Sequence, residues 1–192
     1  IYLVTGWSDN TNVSNVQIYD PASDSWQVGT STPENHNFKS FGASGTIIGN
    51  AIYYFGGAEY TRGYPIQNKL RKGTIDPKNP TEITWHISIP DQDIVGYRMA
   101  ATRIGNQAHW IGGSGITYNY NGVAYNGVGG VPPLDRDIYL STENDSKLNT
   151  SSLQIPMDLR GIASISETVK YIVGGMLPNQ VVSNKVFRLE WK

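Results

Sequence analysis

The chain has 192 residues, of which 16% are charged, with a formal net charge of −1, 21 glycines and no cysteine. That balance gives no basic footprint for a nucleic-acid backbone or an anionic membrane, and the lack of cysteine excludes disulfides, thiol catalysis and thiolate-bound zinc. No apolar stretch approaches the roughly 20 residues that a membrane-spanning helix needs, and no segment carries a helical period.

The first unit opens with a strand pattern, IYLVTG, ending at Gly6. A polar loop follows, then a strand NVQIYDP at residues 15–21, a turn of small polar residues and a strand bearing Trp26. The chain begins inside a strand pattern, from which its natural start is expected upstream of Ile1. The second unit starts one strand earlier, with SFGASGTIIGN at residues 40–50, where Gly49 and Asn50 make a hairpin turn. AIYYFGG comes next, then a loop over residues 58–68, then KLRKGTIDP and a strand carrying Trp85. The third unit repeats this order, with RMAATRIGN, AHWIGG, a long loop over residues 114–136 and DIYLST. The fourth reads LRGIASIS, VKYIVGG, a short loop and NKVFRLEWK.

The second glycine of each doublet falls at Gly57, Gly113 and Gly175, with Gly6 in the first copy, at intervals of 51, 56 and 62 residues. A period near fifty marks a repeated supersecondary unit. Each unit is a meander of short strands: the first lacks its innermost strand, the last its outermost, and the two between have four. The domain is therefore one array, with units at about 1–30, 38–89, 97–155 and 159–192.

The doublets Gly56-Gly57, Gly112-Gly113 and Gly174-Gly175, together with Tyr19-Asp20-Pro21 before Trp26 and Asp76-Pro77 before Trp85, resemble the kelch repeat. The resemblance implies an all-β fold, a kelch-type β-propeller with about four blades in this chain and the remainder of a five- to seven-bladed ring supplied by further sequence or by another chain. It implies a scaffold, with the glycines as turn geometry and the Tyr and Trp as blade packing. It says little of the ligand.

In such a meander the entry to the innermost strand and the loop between the second and third strands emerge at one end of the blade. That end collects the variable loops and is the expected binding face, whereas the other end holds tight turns such as Gly49-Asn50 and Gly105-Asn106. By offset from the doublets, Arg98 and Arg160 share a repeat position, with Gly42 as the equivalent in the second unit. By the resemblance, residues there line the central pocket, so the two arginines are candidates for gripping a carboxylate. Loop 114–136 brings Tyr118, Tyr120 and Tyr125, with Asp135 near its end; loop 58–68 brings Glu59, Tyr60, Arg62 and Tyr64. Tyrosines among Asn and Gly suit a sugar or a protein partner, because flat amphipathic rings bury area while their hydroxyls stay wet.

Chemistry is thinly represented. His36, His86 and His109 fall at different repeat positions, so neither a metal nor a cofactor is expected. Galactose oxidase also has a kelch-like propeller, but its copper site needs a cysteine joined to a tyrosine. Three triplets, at Asn12, Asn144 and Asn149, match the glycosylation pattern without indicating a source. The leading expectation is a binding or scaffold module for a protein or glycan, exported to the periplasm, cell surface or exterior of a bacterium. The alternative is an epimerase acting on an anionic sugar, like the sialic-acid mutarotases of the kelch type, through Arg98 and Arg160 with Glu59 or Asp135 as acid/base.

Overall fold

The computed structural model describes residues 1–88, 93–141, 147–159 and 161–191. Every sheet in them is antiparallel, and their order follows the chain. Blade one pairs β1 (Tyr2–Val4) with β4 (Val16–Asp20) and β5 (Ser25–Gly29), while β2 (Trp7–Ser8) and β3 (Thr11–Asn12) form a small separate hairpin. Blade two is the meander β6 (Ser44–Ile48), β7 (Ala51–Phe55), β8 (Leu70–Ile75) and β9 (Ile83–Ser88). Blade three repeats it with β10 (Ala100–Ile104), β11 (Gln107–Ile111), β12 (Arg136–Ser141) and β13 (Leu148–Ser152). Blade four has β14 (Ala163–Ser164), β15 (Val169–Val173) and β16 (Val186–Glu190).

The packing makes these sheets blades of a β-propeller. In β7 all five residues are buried, which a sheet with one solvated face would not produce. Side chains alternate along a strand, so Ala51, Tyr53 and Phe55 enter one core with Trp110, Ile138 and Leu140 of blade three, while Ile52 enters another with Val16, Tyr2 and Val4 of blade one. A third core joins Ile111 and Ala100 of blade three to Ile172, Phe187 and Leu189 of blade four. Each sheet thus lies face to face with the next. At the two ends the outward positions have no such neighbour: Leu3 and Val28 on blade one, and Val173 and Val186 on blade four, are exposed.

The Asp-Pro pairs perform the same local task twice. Asp20 Oδ1 accepts the Ala22 N–H at 3.0 Å and Asp76 Oδ1 accepts the Lys78 N–H at 2.7 Å, each an Asx turn that reverses the chain between the third and fourth strands. Trp85 then donates its Nε1–H to the Thr30 carbonyl at 3.0 Å, and Trp110 donates to the Ser44 carbonyl at 2.8 Å, so both indoles tie one blade to the one before it.

Candidate functional site

The end of the blades bearing the long loops is stitched into one surface. Bridges pair Phe41 with Ala58, Tyr97 with Ser114 and Met157 with Met176, placing each inner-strand entry beside the loop that follows the glycine doublet. Thr117 Oγ1 donates to the Tyr64 carbonyl at 2.6 Å, and Gln180 Nε2 donates to the Val131 carbonyl at 3.3 Å, which join the loops of successive blades. Beneath them Ala58, Tyr97, Tyr118, Ala124, Val131, Met157 and Met176 form a buried layer.

The bridges correct the register read from the glycines. Phe41, Tyr97 and Met157 are equivalent, so the residue matching Arg98 is Asp158, not Arg160. Gly42, Arg98 and Asp158 share a left-handed backbone, with φ of 66°, 52° and 56°. The cause lies in blade four, where Tyr171 pairs with Ala163, eight residues back, against seven for Tyr53 with Thr46 and His109 with Thr102, and where the Met157–Met176 bridge spans 19 residues against 17 for the other two, so the hairpin accounts for one residue of the offset and the strand entry for the other. Arg160 itself lies outside the described residues. Gly42 is the second unit's counterpart because the Tyr97 ring lies where its Cβ would be.

Arg98 is committed within the fold. Its Nη1 is 3.1 Å from Asp158 Oδ1, with the side chains 16% and 19% exposed, and its guanidinium lies 5.2 Å from the Tyr97 ring centre and 5.0 Å from that of Tyr118. Burial pulls its pKa down, but Tyr97, Asp158 and Tyr118 outweigh that, and the guanidinium is held above its ordinary value. Arg98→Ala is expected to cost about 2 kcal/mol, less than a fully buried pair because water reaches both partners. Urea unfolding of that variant beside Arg98→Lys measures it.

The remaining expected site residues divide by exposure. Tyr118 is fully enclosed, its hydroxyl 3.5 Å from Asp158 Oδ1, so it supports the loop from beneath. Tyr125 is half-buried with its ring 4.7 Å from Tyr64. Tyr120 (79% exposed), Tyr60 (49%), Arg62 and Asp135 reach solvent, and Glu59 is half-buried. Arg98 and Tyr118 come together, whereas Glu59, Tyr60 and Arg62 gather on a different loop.

Trp7 is the aromatic residue that the sequence reading passed over. The β2–β3 hairpin holds it over loop 58–64, with ring centres 5.2 Å from Phe41, 5.5 Å from Tyr60 and 6.0 Å from Tyr64. Phe41 continues to Tyr97 at 5.9 Å and Tyr97 to Tyr118 at 5.2 Å. The result is a chain of edge-on rings from the buried layer to the surface, ending in Trp7, 44% exposed, and Tyr60. The signal was Asp9-Asn10 between two pairs of strand-compatible residues, a hairpin turn.

His109 donates Nδ1–H to Asp137, 2.9 Å away, and stacks on Tyr139, but both members of the pair are enclosed in blade three. Among the described residues no group of three His, Asp or Glu is placed to hold a metal ion. No helix among them is long and apolar enough to cross a membrane.

Fold and loop geometry together define an all-β propeller segment with one elaborated face. The solved structure titled "Structure of YjhT" is similar to it, with a TM-score of 0.71 at 13% identity, covering 94% of this chain and 50% of that one. The chain therefore spans about half the length of YjhT, and at that identity the likeness is one of fold. No protein-family model and none of the curated proteins matches the sequence.

Proposed function

We propose that the chain is a binding module of the kelch type, an exported propeller segment that docks a protein or glycan partner through its loop face without transforming it. The observation that carries this reading is the ladder of rings ending in exposed Trp7 and Tyr60, with Tyr120 on the neighbouring loop. Buried aromatics beneath fix the outer ones in place, so a partner meets a rigid platform and little side-chain freedom is lost on contact. The apolar positions exposed on blades one and four support a larger ring, with further blades covering them.

Epimerisation of an anionic sugar asks for a cation not already matched, and Arg98 is paired with Asp158 and flanked by two rings. Anomer exchange of sialic acid followed by NMR separates the two readings, with no acceleration by this protein expected. Deleting the loop around Tyr118 would collapse the layer below it, so surface substitutions are the sounder test of binding. Trp7→Ala combined with Tyr60→Ala is expected to abolish capture of protein and glycan partners while leaving the thermal transition nearly in place. Retained capture would refute the loop-face assignment.

A further inference from the structure

Beside the ring ladder, between the β2–β3 hairpin, the entry to blade two and loop 58–64, lies a cleft of about 370 Å³. Its wall includes Asn12, Glu34, His36, Lys39, Glu59 and Tyr60. From this cleft we infer that the glycan taken by the loop face is an uncharged one, with a neutral pyranose unit seated against Tyr60. The inference rests on the binding-module reading and narrows it to a ligand class and a place.

Three observations converge. Asn12 is buried, and its Nδ2 donates to the Ala58 carbonyl at 3.2 Å. A carbonyl only accepts, so the amide orientation is fixed, and its Oδ1 is left as an enclosed acceptor with no partner. Such a group costs free energy until a donor reaches it, and although Oδ1 is closed off from solvent, Asn12 lines the cleft, so we assign it a sugar hydroxyl that opens this contact on entering. The charges then decide between sugars. Lys39 Nζ is 2.9 Å from Glu34, which also accepts from Ser14 Oγ, and the Lys39 bond first and the Ser14 bond second hold the Glu34 carboxyl below its usual range. The one lysine of the wall is thus matched, and the second carboxylate, Glu59, lies within reach of the Lys69 charge, so the described lining offers an anion no unmatched lysine or arginine. An anionic sugar finds no unmatched lysine or arginine to hold it there, whereas a neutral one finds acceptors for its hydroxyls in Glu59 and donors in Lys39 and Thr61. Finally, Tyr60 and Trp7 meet edge-on at the rim, and an exposed flat ring suits the C–H face of a pyranose, which no charged group could replace.

The test is saturation-transfer NMR with lactose, N,N′-diacetylchitobiose and 3′-sialyllactose, the last sharing its disaccharide with the first. Wild-type protein is expected to bind the neutral sugars and to disfavour 3′-sialyllactose. Tyr60→Ala should weaken neutral-sugar binding at least about tenfold, and Glu59→Gln should narrow the gap between lactose and 3′-sialyllactose. Because Tyr60 is exposed and Glu59 is half-buried in the cleft wall and outside the cores, neither variant depends on refolding a core. A preference for 3′-sialyllactose, or neutral binding untouched by Tyr60→Ala, overturns the inference. If no sugar binds but a protein partner is lost in the Trp7→Ala, Tyr60→Ala variant, the inference falls and the binding-module reading stands; if neither is seen, both fall.

Discussion

Arg71→Met is expected to lower the unfolding free energy by about 3 kcal/mol, among the largest effects of any substitution outside the cores. Arg71 is fully buried in β8, and its partners are oxygens rather than a surface carboxylate. Nε donates to the Asn37 carbonyl at 2.7 Å, Nη1 to those of Gly56 and Lys69 at 2.9 and 3.2 Å, and Nη2 to Gln67 Oε1. Its guanidinium also sits 5.1 Å from the Tyr54 ring centre. Burial brings its pKa down to about 10, which leaves it charged at neutral pH. Gly56 O keeps Ser40 Oγ and Lys69 O keeps the Gly56 N–H when the side chain is removed, so two acceptors, Asn37 O and Gln67 Oε1, are stranded. Each stranded acceptor costs about 1–3 kcal/mol, partly offset because a desolvated charge has gone. Gln67 in turn donates to the His36 carbonyl at 2.7 Å, so the loss spreads to the cleft wall. Urea unfolding measures the effect, and a change below about 1 kcal/mol would remove Arg71 as the clamp between entry segment and loop.

Gly56→Ala is expected to cost about 3 kcal/mol or more, and Gly174→Ala only about 1 kcal/mol. Both sit at the first position of a doublet with φ near +70°, at 70° and 74°, so the backbone strain is shared. The surroundings differ. A Cβ on Gly56 would run into the Gly96 carbonyl oxygen of the segment entering blade three, and one on Gly112 would lie 2.6 Å from the Pro156 carbonyl oxygen entering blade four. A Cβ on Gly174 meets nothing nearer than Ser183 O at 3.6 Å. In blades two and three the first glycine of the doublet is thus where one blade abuts the next, and the second abuts its own blade's entry, as Gly113 does at 2.5 Å from Tyr97 O. Paired thermal and urea unfolding of the two alanine variants checks the difference, and equal losses would mean that strain alone explains the doublet.

Those glycines are also why so much of the fold was legible. A doublet after an apolar run, an Ile-Gly-Asn turn before it and an Asp-Pro turn after it are local devices, and each acts within a few residues of where it is written. What could not be read depends on contacts between blades. Arg71 looks like any strand arginine, because nothing beside it in sequence announces four carbonyl-type oxygens arriving from residues 37, 56, 67 and 69. The pairing of Arg98 with Asp158 was hidden by a two-residue offset in blade four, one residue in its inner hairpin and one at the entry to its inner strand, which moves that entry relative to the doublet without changing either motif. Trp7 was visible as a residue, but its place over Tyr60 follows from how the β2–β3 hairpin folds across to blade two. The cleft was invisible for the same reason, since its wall is drawn from three separate loops.

The account of the loop face as a sugar-binding surface is tested most directly by tryptophan fluorescence. Of the five tryptophans, Trp7 is the one beside the cleft, so titrating lactose or N,N′-diacetylchitobiose should give a saturable change in the wild-type emission that is absent in Trp7→Phe. An unchanged wild-type spectrum, or the same change in Trp7→Phe, would contradict the account.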